Sequence, residues 1–286
     1  MFSLTRTRRI LKGLSYVYLI ALLILTFFPL VWMVSSSIKP IEDLFVIPPQ
    51  WIPKNPTLST LNSVIFGDYG RGSLFPTYFK NSLIVTTGTT LLCLVVATLA
   101  AFSFSRYPFR GSNTLMIAIL ATQMFPQGML LISLYLSFLK LNFLNTYRAM
   151  ILANTTFAIP FAIWILKGFF DTIPKEIEEA AMIDGCSRMS ALTKVVLPMV
   201  APGLVAAGVY TFLIAWDEYL FAATLTTQPD MRTLPPGIVQ SFVGQFYLNW
   251  PNVMAASVLI TIPVTILFIF FQKHLVQGLT AGAVKG

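Results

Sequence analysis

Asp217 and Glu218 stand side by side in the run Ala215-Trp216-Asp217-Glu218-Tyr219, inside a stretch that is otherwise apolar. A carboxylate at the centre of a bilayer costs about 2.5–3.5 kcal/mol on insertion scales, so each acid needs water or a partner. Neighbouring residues on a helix point about 100° apart, so the two acids do not face one cavity. They can serve as hydrogen-bond acceptors or proton relays, or as a bond between helices. Gln123, in Gln123-Met124-Phe125-Pro126-Gln127, and Asn154, six residues before Pro160, are further polar groups in apolar surroundings. Each proline removes a backbone donor and predicts a bend, and broken helices line cavities in transporters. A second concentration of acid lies between Gly168 and Pro198: Asp171, Glu176, Glu178, Glu179 and Asp184, five of the eleven in the chain. No GxxxxGK[S/T] occurs, so the chain has no P-loop and cannot hydrolyse ATP itself. The one histidine, His274, permits no HExxH, and Cys93 and Cys186 form no CxxC. No catalytic residue and no metal site is predicted.

The elements that must hold these groups are membrane helices. The 286 residues are 56% hydrophobic and 10% charged, with mean hydropathy +0.76. Soluble domains carry about 25% charged residues, which excludes an ordinary cytosolic enzyme and a disordered tail alike. A bilayer core needs roughly 20 apolar residues as a helix. Six stretches qualify: Leu14–Val34, Ser82–Phe104, Asn113–Leu136, Ala149–Leu166, Leu204–Leu225 and Val253–Phe271. They form a single membrane domain over residues 1–286. The first is too long for a signal-peptide core and has no small-residue cleavage site after it, so it reads as a retained helix. Arg6, Arg8, Arg9 and Lys12 precede it, and cytoplasmic loops carry an excess of Lys and Arg. Both termini are therefore expected inside, and the net charge of +8 reflects this bias rather than nucleic-acid binding. The segment Ile38–Lys80, rich in Pro and Gly, is expected to be an extended, ordered lid. Ile238–Tyr247 is apolar enough to re-enter the membrane edge.

The acidic segment has its own architecture. Asp171 and Thr172 can cap a helix, Pro174 suits its first turn, and Glu176, Glu178 and Glu179 complement the positive end of its dipole. Ile173, Ile177, Ala180 and Ala181 recur at helical spacing on a small apolar face. Gly185 ends the helix, and Ser187 starts a second one carrying Leu192, Val195 and Val196 before Pro198 and Pro202. Helices that lie on lipid favour Lys and Arg on their polar face, whereas this one is acidic. A protein groove is the better partner.

Glu179-Ala180-Ala181, three residues, Gly185, nine residues and then Val195-Val196-Leu197-Pro198 resemble the EAA motif of binding-protein-dependent ABC importer permeases, with Val195 in place of the motif's isoleucine. The resemblance extends through Phe28-Pro29-Leu30, Ser37-Ile38-Lys39-Pro40, Asn81-Ser82-Leu83, Ala101-Phe102 to Arg106, and Phe109-Arg110-Gly111. The end, Gly278 to Gly286, is similar to the tail of the smaller maltose-importer permease subunit, which points to the carbohydrate-uptake group. The resemblance implies an all-α, six-helix type I importer permease with a cytoplasmic coupling helix between helices 4 and 5. It implies a bacterial or archaeal plasma membrane, a second homologous permease, two ATPase subunits that bind ATP and Mg, and an extracytoplasmic binding protein that delivers a di- or oligosaccharide or related glycoside. By position, Glu179, Ala180, Ala181, Asp184, Gly185, Leu197 and Pro198 are the ATPase-coupling residues. The flexible tail Leu279–Gly286 reaches the same interface. Gln123, Asn154, Trp216, Asp217, Glu218 and Tyr219 are pathway candidates, with Trp216 and Tyr219 as stacking surfaces for a sugar ring and one acid accepting from its hydroxyls. A self-sufficient proton-coupled carrier using Asp217 and Glu218 is the alternative, and it leaves the acidic loop without a role. A membrane-embedded enzyme lacks the residues.

Overall fold

A computed structural model describes residues 2–67, 72–107, 109–243 and 249–283, with side chains except those of residues 2–10, 41 and 274–283. The described residues fall into two compact units, one of residues 1–73 with 240–261 and one of residues 74–239 with 262–286.

In the first unit, α1 (Phe2–Ser37) contains a span, Leu11–Ser37, that is apolar all round. The chain leaving it is tied back to its last turns. The Ser35 hydroxyl donates to the Trp51 carbonyl at 2.6 Å, and Thr57 N–H donates to the Ile38 carbonyl at 2.8 Å. The Trp51 ring lies 5.3 Å from both Phe28 and Trp32. Lys39 is buried over the Trp32 face, 4.3 Å from its centroid, and donates to the Gln50 carbonyl. Burial pulls its ammonium below the ordinary lysine value, while the charge of Asp43 opposes the shift. The expected lid also contains a helix, α2 (Ser59–Phe66).

The second unit is built on α3 (Phe75–Arg106), α6 (Tyr147–Phe170) and α10 (Ala201–Trp216), which pack against one another. Their contact is lined with Ala97, Ala101, Ala158, Ala162 and Ala207, all fully buried. Small side chains let membrane helices approach closely where lipid supplies no hydrophobic drive. Gly203 is the extreme case, because a Cβ there would sit 2.5 Å from the Phe169 ring.

Among the described residues, four helices, α1, α3, α6 and α13 (Trp250–Ala283), contain continuous candidate spans, and two bent pairs, each counted as one span, bring the total to six. The third expected span is one of these pairs. Here α4 (Ser112–Ala121) and its 3-10 turn meet α5 (Gln127–Lys140) at 94°. Phe125 is extended before Pro126, as the clash with a following proline ring demands. Pro160, by contrast, does not interrupt α6. The side-chain amide of Gln123 donates to the Phe157 carbonyl at 2.8 Å, tying the turn before α5 to α6.

The fifth expected span, Leu204–Leu225, is not one rod. Its helix α10 ends at Trp216, and α11 (Leu220–Leu225) follows after a break. At the other end α10 meets Arg188–Met199 at 81°. Beyond α11 come a 3-10 turn at Pro229–Met231 and α12 (Leu234–Phe242). The expected re-entrant segment Ile238–Tyr247 lies partly outside the described residues.

Gly203→Ala should lower the melting temperature of the purified protein in detergent, because overpacking a tight contact costs about 1–3 kcal/mol. Gly88→Ala should shift it little. Its Cβ would meet the tip of Ile151, 2.6 Å away, which can rotate aside.

Candidate functional site

α6 ends at Phe170, and the residues expected to cap the next helix finish this one instead. Asp171 pairs with Lys167 at 2.6 Å, one turn back, and the Thr172 hydroxyl donates to the Phe169 carbonyl at 2.7 Å. Pro174 occupies the N-cap position of α7 (Lys175–Ile183), just outside its first turn. Proline brings no side-chain acceptor for the first-turn N–H groups, and Ile177 N–H donates to the Pro174 carbonyl at 3.4 Å. Glu176 and Glu178 lie in the first turn, where the helix dipole favours negative charge.

Gly185 closes α7 at φ +89°, with its N–H on the Met182 carbonyl and that of Cys186 on the Ala181 carbonyl. This is a Schellman motif, whose left-handed residue favours glycine. The Ser187 hydroxyl then accepts from Ser190 N–H at 3.3 Å and caps α8 (Arg188–Ala191). A π turn, Leu192–Val196, leads to α9 (Leu197–Met199). Leu192 and Val196 enter the core shared by α3, α6 and α10, and Leu197 packs against it.

The two faces of α7 differ sharply. Glu178 and Ala181, one turn apart, are buried, while Glu179, Ala180, Asp184 and Gly185 are exposed. Ile183 is 85% exposed and Met189 58%, so the outward surface mixes acid with small and apolar groups. Pro198 and Met199 are also exposed.

One acid of α7 is paired within the chain. Glu178 makes the bond: Arg106 Nε donates to its carboxylate at 3.0 Å, with the two side chains only 5% and 7% exposed. The same guanidinium donates through Nη2 to the Ile173 carbonyl at 3.1 Å and through Nη1 to Ser105 Oγ at 3.3 Å. The guanidinium of Arg188 sits 5.4 Å from the Tyr107 ring. The signal for Glu178 was its place three residues before Ala181, on the face turned inward.

The pathway candidates gather around the break between α10 and α11. The Glu218 carboxylate accepts from Phe221 N–H at 2.6 Å and Ala222 N–H at 3.0 Å, satisfying donors that the start of α11 exposes. The Phe221 ring stacks on Phe157 with centroids 5.0 Å apart, and the Phe157 carbonyl takes the Gln123 amide. Glu218, Phe221, Phe157 and Gln123 thus form one connected wall. Asn154 is buried one turn before Phe157. Trp216 is 2% exposed, stacked on Phe212 at 5.7 Å and edge-on to Phe79 at 6.0 Å. Its ring faces are occupied within the chain. Asp217 and Tyr219 are exposed, Tyr219 by 41%.

Two asparagines that sequence reasoning did not single out as site residues hold the neighbouring loop. The Asn81 amide donates to the carbonyls of Asp230 at 2.7 Å and Arg232 at 2.8 Å, and its oxygen accepts from the Tyr147 hydroxyl at 2.7 Å. Ser82 Oγ accepts from Leu234 N–H at 2.8 Å. Asn145, at φ +56°, accepts from the N–H groups of Thr227 at 2.7 Å and Gln228 at 3.0 Å.

Residues 93–281 match the family of binding-protein-dependent transport system inner membrane components. The chain is 38% identical over 275 residues to the sulfoquinovosyl glycerol transport system permease protein SmoH of Agrobacterium fabrum, covering 96% of this chain and 94% of that one. It is 38% identical to the trehalose/maltose transport system permease protein MalG of Thermococcus litoralis over 93% of this chain and 94% of that one. A crystal structure of a bacterial ABC transporter involved in alginate import shares the fold with TM-score 0.79 at 22% identity, over 94% of this chain and 98% of that chain. The chain therefore belongs to the binding-protein-dependent transport system inner membrane components. It is a multi-pass membrane permease subunit of an ABC importer, not a self-sufficient ion-coupled carrier.

Asn81→Leu should strand two loop carbonyls and a tyrosine hydroxyl. Each buried group left unsatisfied costs about 1–3 kcal/mol. Faster hydrogen exchange or proteolysis at residues 226–234 checks it. Glu218→Ala should lower stability by about 1 kcal/mol, the usual value of a lost cap, read as a lower melting temperature.

Proposed function

We propose that the chain forms half of the translocation pathway of a carbohydrate importer, for a di- or oligosaccharide or a related glycoside, and takes its energy from partner ATPases docked on the hairpin α7–α8. The substrate class rests on the relatives, whose names include sulfoquinovosyl glycerol, trehalose/maltose and, for a Streptomyces coelicolor protein at 36% identity, diacetylchitobiose. The observation that carries the docking reading is the two-faced α7. One face is anchored by Glu178, while Glu179, Ala180, Ile183, Asp184 and Gly185 remain outward. Small residues permit close approach of a protein groove, Ile183 offers apolar surface, and Glu179 and Asp184 seek basic partners. Ala181 and Leu197 set the hairpin's shape from within, while Pro198 is exposed.

In this proposal both termini and the hairpin are cytoplasmic, in agreement with the basic cluster Arg6, Arg8, Arg9 and Lys12. The partners are a second homologous permease, two ATPases that hold ATP and Mg, and a solute-binding protein on the outer side. Asp217 and Tyr219 face the pathway, where carboxylates accept from sugar hydroxyls and aromatic rings stack on sugars. Trp216, Glu218, Gln123 and Asn154 hold the wall behind them. The tail Leu279–Gly286 was expected to be flexible. Its backbone is helical as far as Ala283, and residues 284–286 lie outside the described residues.

Gly185→Val forces a β-branched residue into a left-handed position, and Glu179→Arg reverses the outward charge. Both should release the ATPase on affinity purification and lower sugar uptake by about tenfold or more, a loss of some 1.4 kcal/mol of coupling. Uptake that persists in cells lacking the ATPase would overturn the importer reading.

A further inference from the structure

Besides the apolar packing of Leu192 and Val196 against the core, the hairpin is joined to the membrane helices by two covalent connections and one polar clamp. It follows α6 through the linker at residues 171–174, and it enters α10 through the 81° bend. Neither junction is a straight continuation. The clamp is Arg106, the last residue of α3, which lies 72 positions from Glu178 in sequence. Its guanidinium grips two parts of the hairpin region at once, the Glu178 carboxylate on α7 and the Ile173 carbonyl in the linker. Charge-assisted bonds from a planar fork fix direction as well as distance. The next residue, Tyr107, lies under Arg188 of α8, and Phe102, one turn back, packs on Phe170 and Tyr107. The end of α3 is thus held between α7 and α8.

The other end of α3 carries a second clamp. Asn81 and Ser82 bond the backbone of Asp230, Arg232 and Leu234. At 1.5 Å per residue, about 37 Å of unbroken helix separates Asn81 from Arg106. No proline lies between them, so the rod has no kink site of that kind.

We propose that α3 is a push-rod. It carries displacement of the ATPase-docked hairpin, through the Arg106–Glu178 pair, to the loop 230–234 at the opposite end of the bundle. Arg106 and Glu178 are positioning residues in this scheme. The inference rests on the docking reading above and adds the route by which the motion leaves the hairpin.

The test uses the complete transporter in proteoliposomes, with Cys186→Ser and Asp230→Cys, and follows the labelling rate of position 230 by a membrane-impermeant maleimide with and without MgATP. The parent should show a nucleotide-dependent labelling rate. Arg106→Met with Glu178→Met removes both charges and leaves no unpaired ion in the buried site. It should retain the ATPase on purification, because the outward face of α7 is untouched. Its labelling rate should no longer respond to MgATP, and sugar moved per ATP hydrolysed should fall at least fivefold. A purely structural role would lower transport and hydrolysis together, leaving that ratio and the labelling response intact, and this result overturns the proposal. Equal labelling with and without MgATP in the parent also overturns it. Should the double variant not assemble, Glu178→Gln, which keeps volume and one acceptor, decides the matter by the same ratio. The docking reading is judged separately by whether Gly185→Val releases the ATPase.

Discussion

An arginine and a glutamate, each almost wholly removed from solvent, set the register of this structure at one end of the bundle. Burying such a pair gains little net stability, since desolvation offsets the attraction, yet removing one member costs about 3–5 kcal/mol. The pair therefore acts less as glue than as a constraint. Glu178 must point at the end of α3, and with that fixed the helical pitch turns Glu179, Ala180 and Ile183 outward. The Schellman turn at Gly185 then folds α8 back over Tyr107.

The same economy of polar groups governs the apolar part of the bundle. Where a helix breaks, a side chain satisfies what the break exposes, as Glu218 does at the start of α11. Where a loop must be held, an asparagine binds its backbone, as Asn81 and Asn145 do. In surroundings poor in water an unsatisfied amide is expensive, so these few polar side chains are spent on backbone. This changes the meaning of Glu218. A carboxylate in an apolar run suggested transport chemistry, but its oxygens already hold two N–H groups. Asp217, next to it, is the exposed one.

Membership in a family of importer permeases, shown by the match over residues 93–281 and by relatives at 38% identity, agrees with this division of labour. One end of the second unit presents a rigid hairpin, and the other presents a stapled loop. The uninterrupted α3 joins them, while α4–α5 and α10–α11 are broken.

Composition and spacing alone determined that the chain crosses a membrane, how many apolar stretches it has, and that an acidic hairpin with a glycine turn lies before α10. Hydrophobic length and the left-handed preference of glycine are local properties, readable from neighbours in sequence. The bend at Phe125-Pro126 was readable for the same reason, since proline acts on the residue beside it. Tertiary structure decided the rest. Only packing could show that Pro160 leaves α6 unbroken. Only packing could show that Glu178 is buried and paired, because the guanidinium that meets it stands 72 residues away. A helix offers its acids on several faces, and which one is buried depends on what the fold brings to meet it.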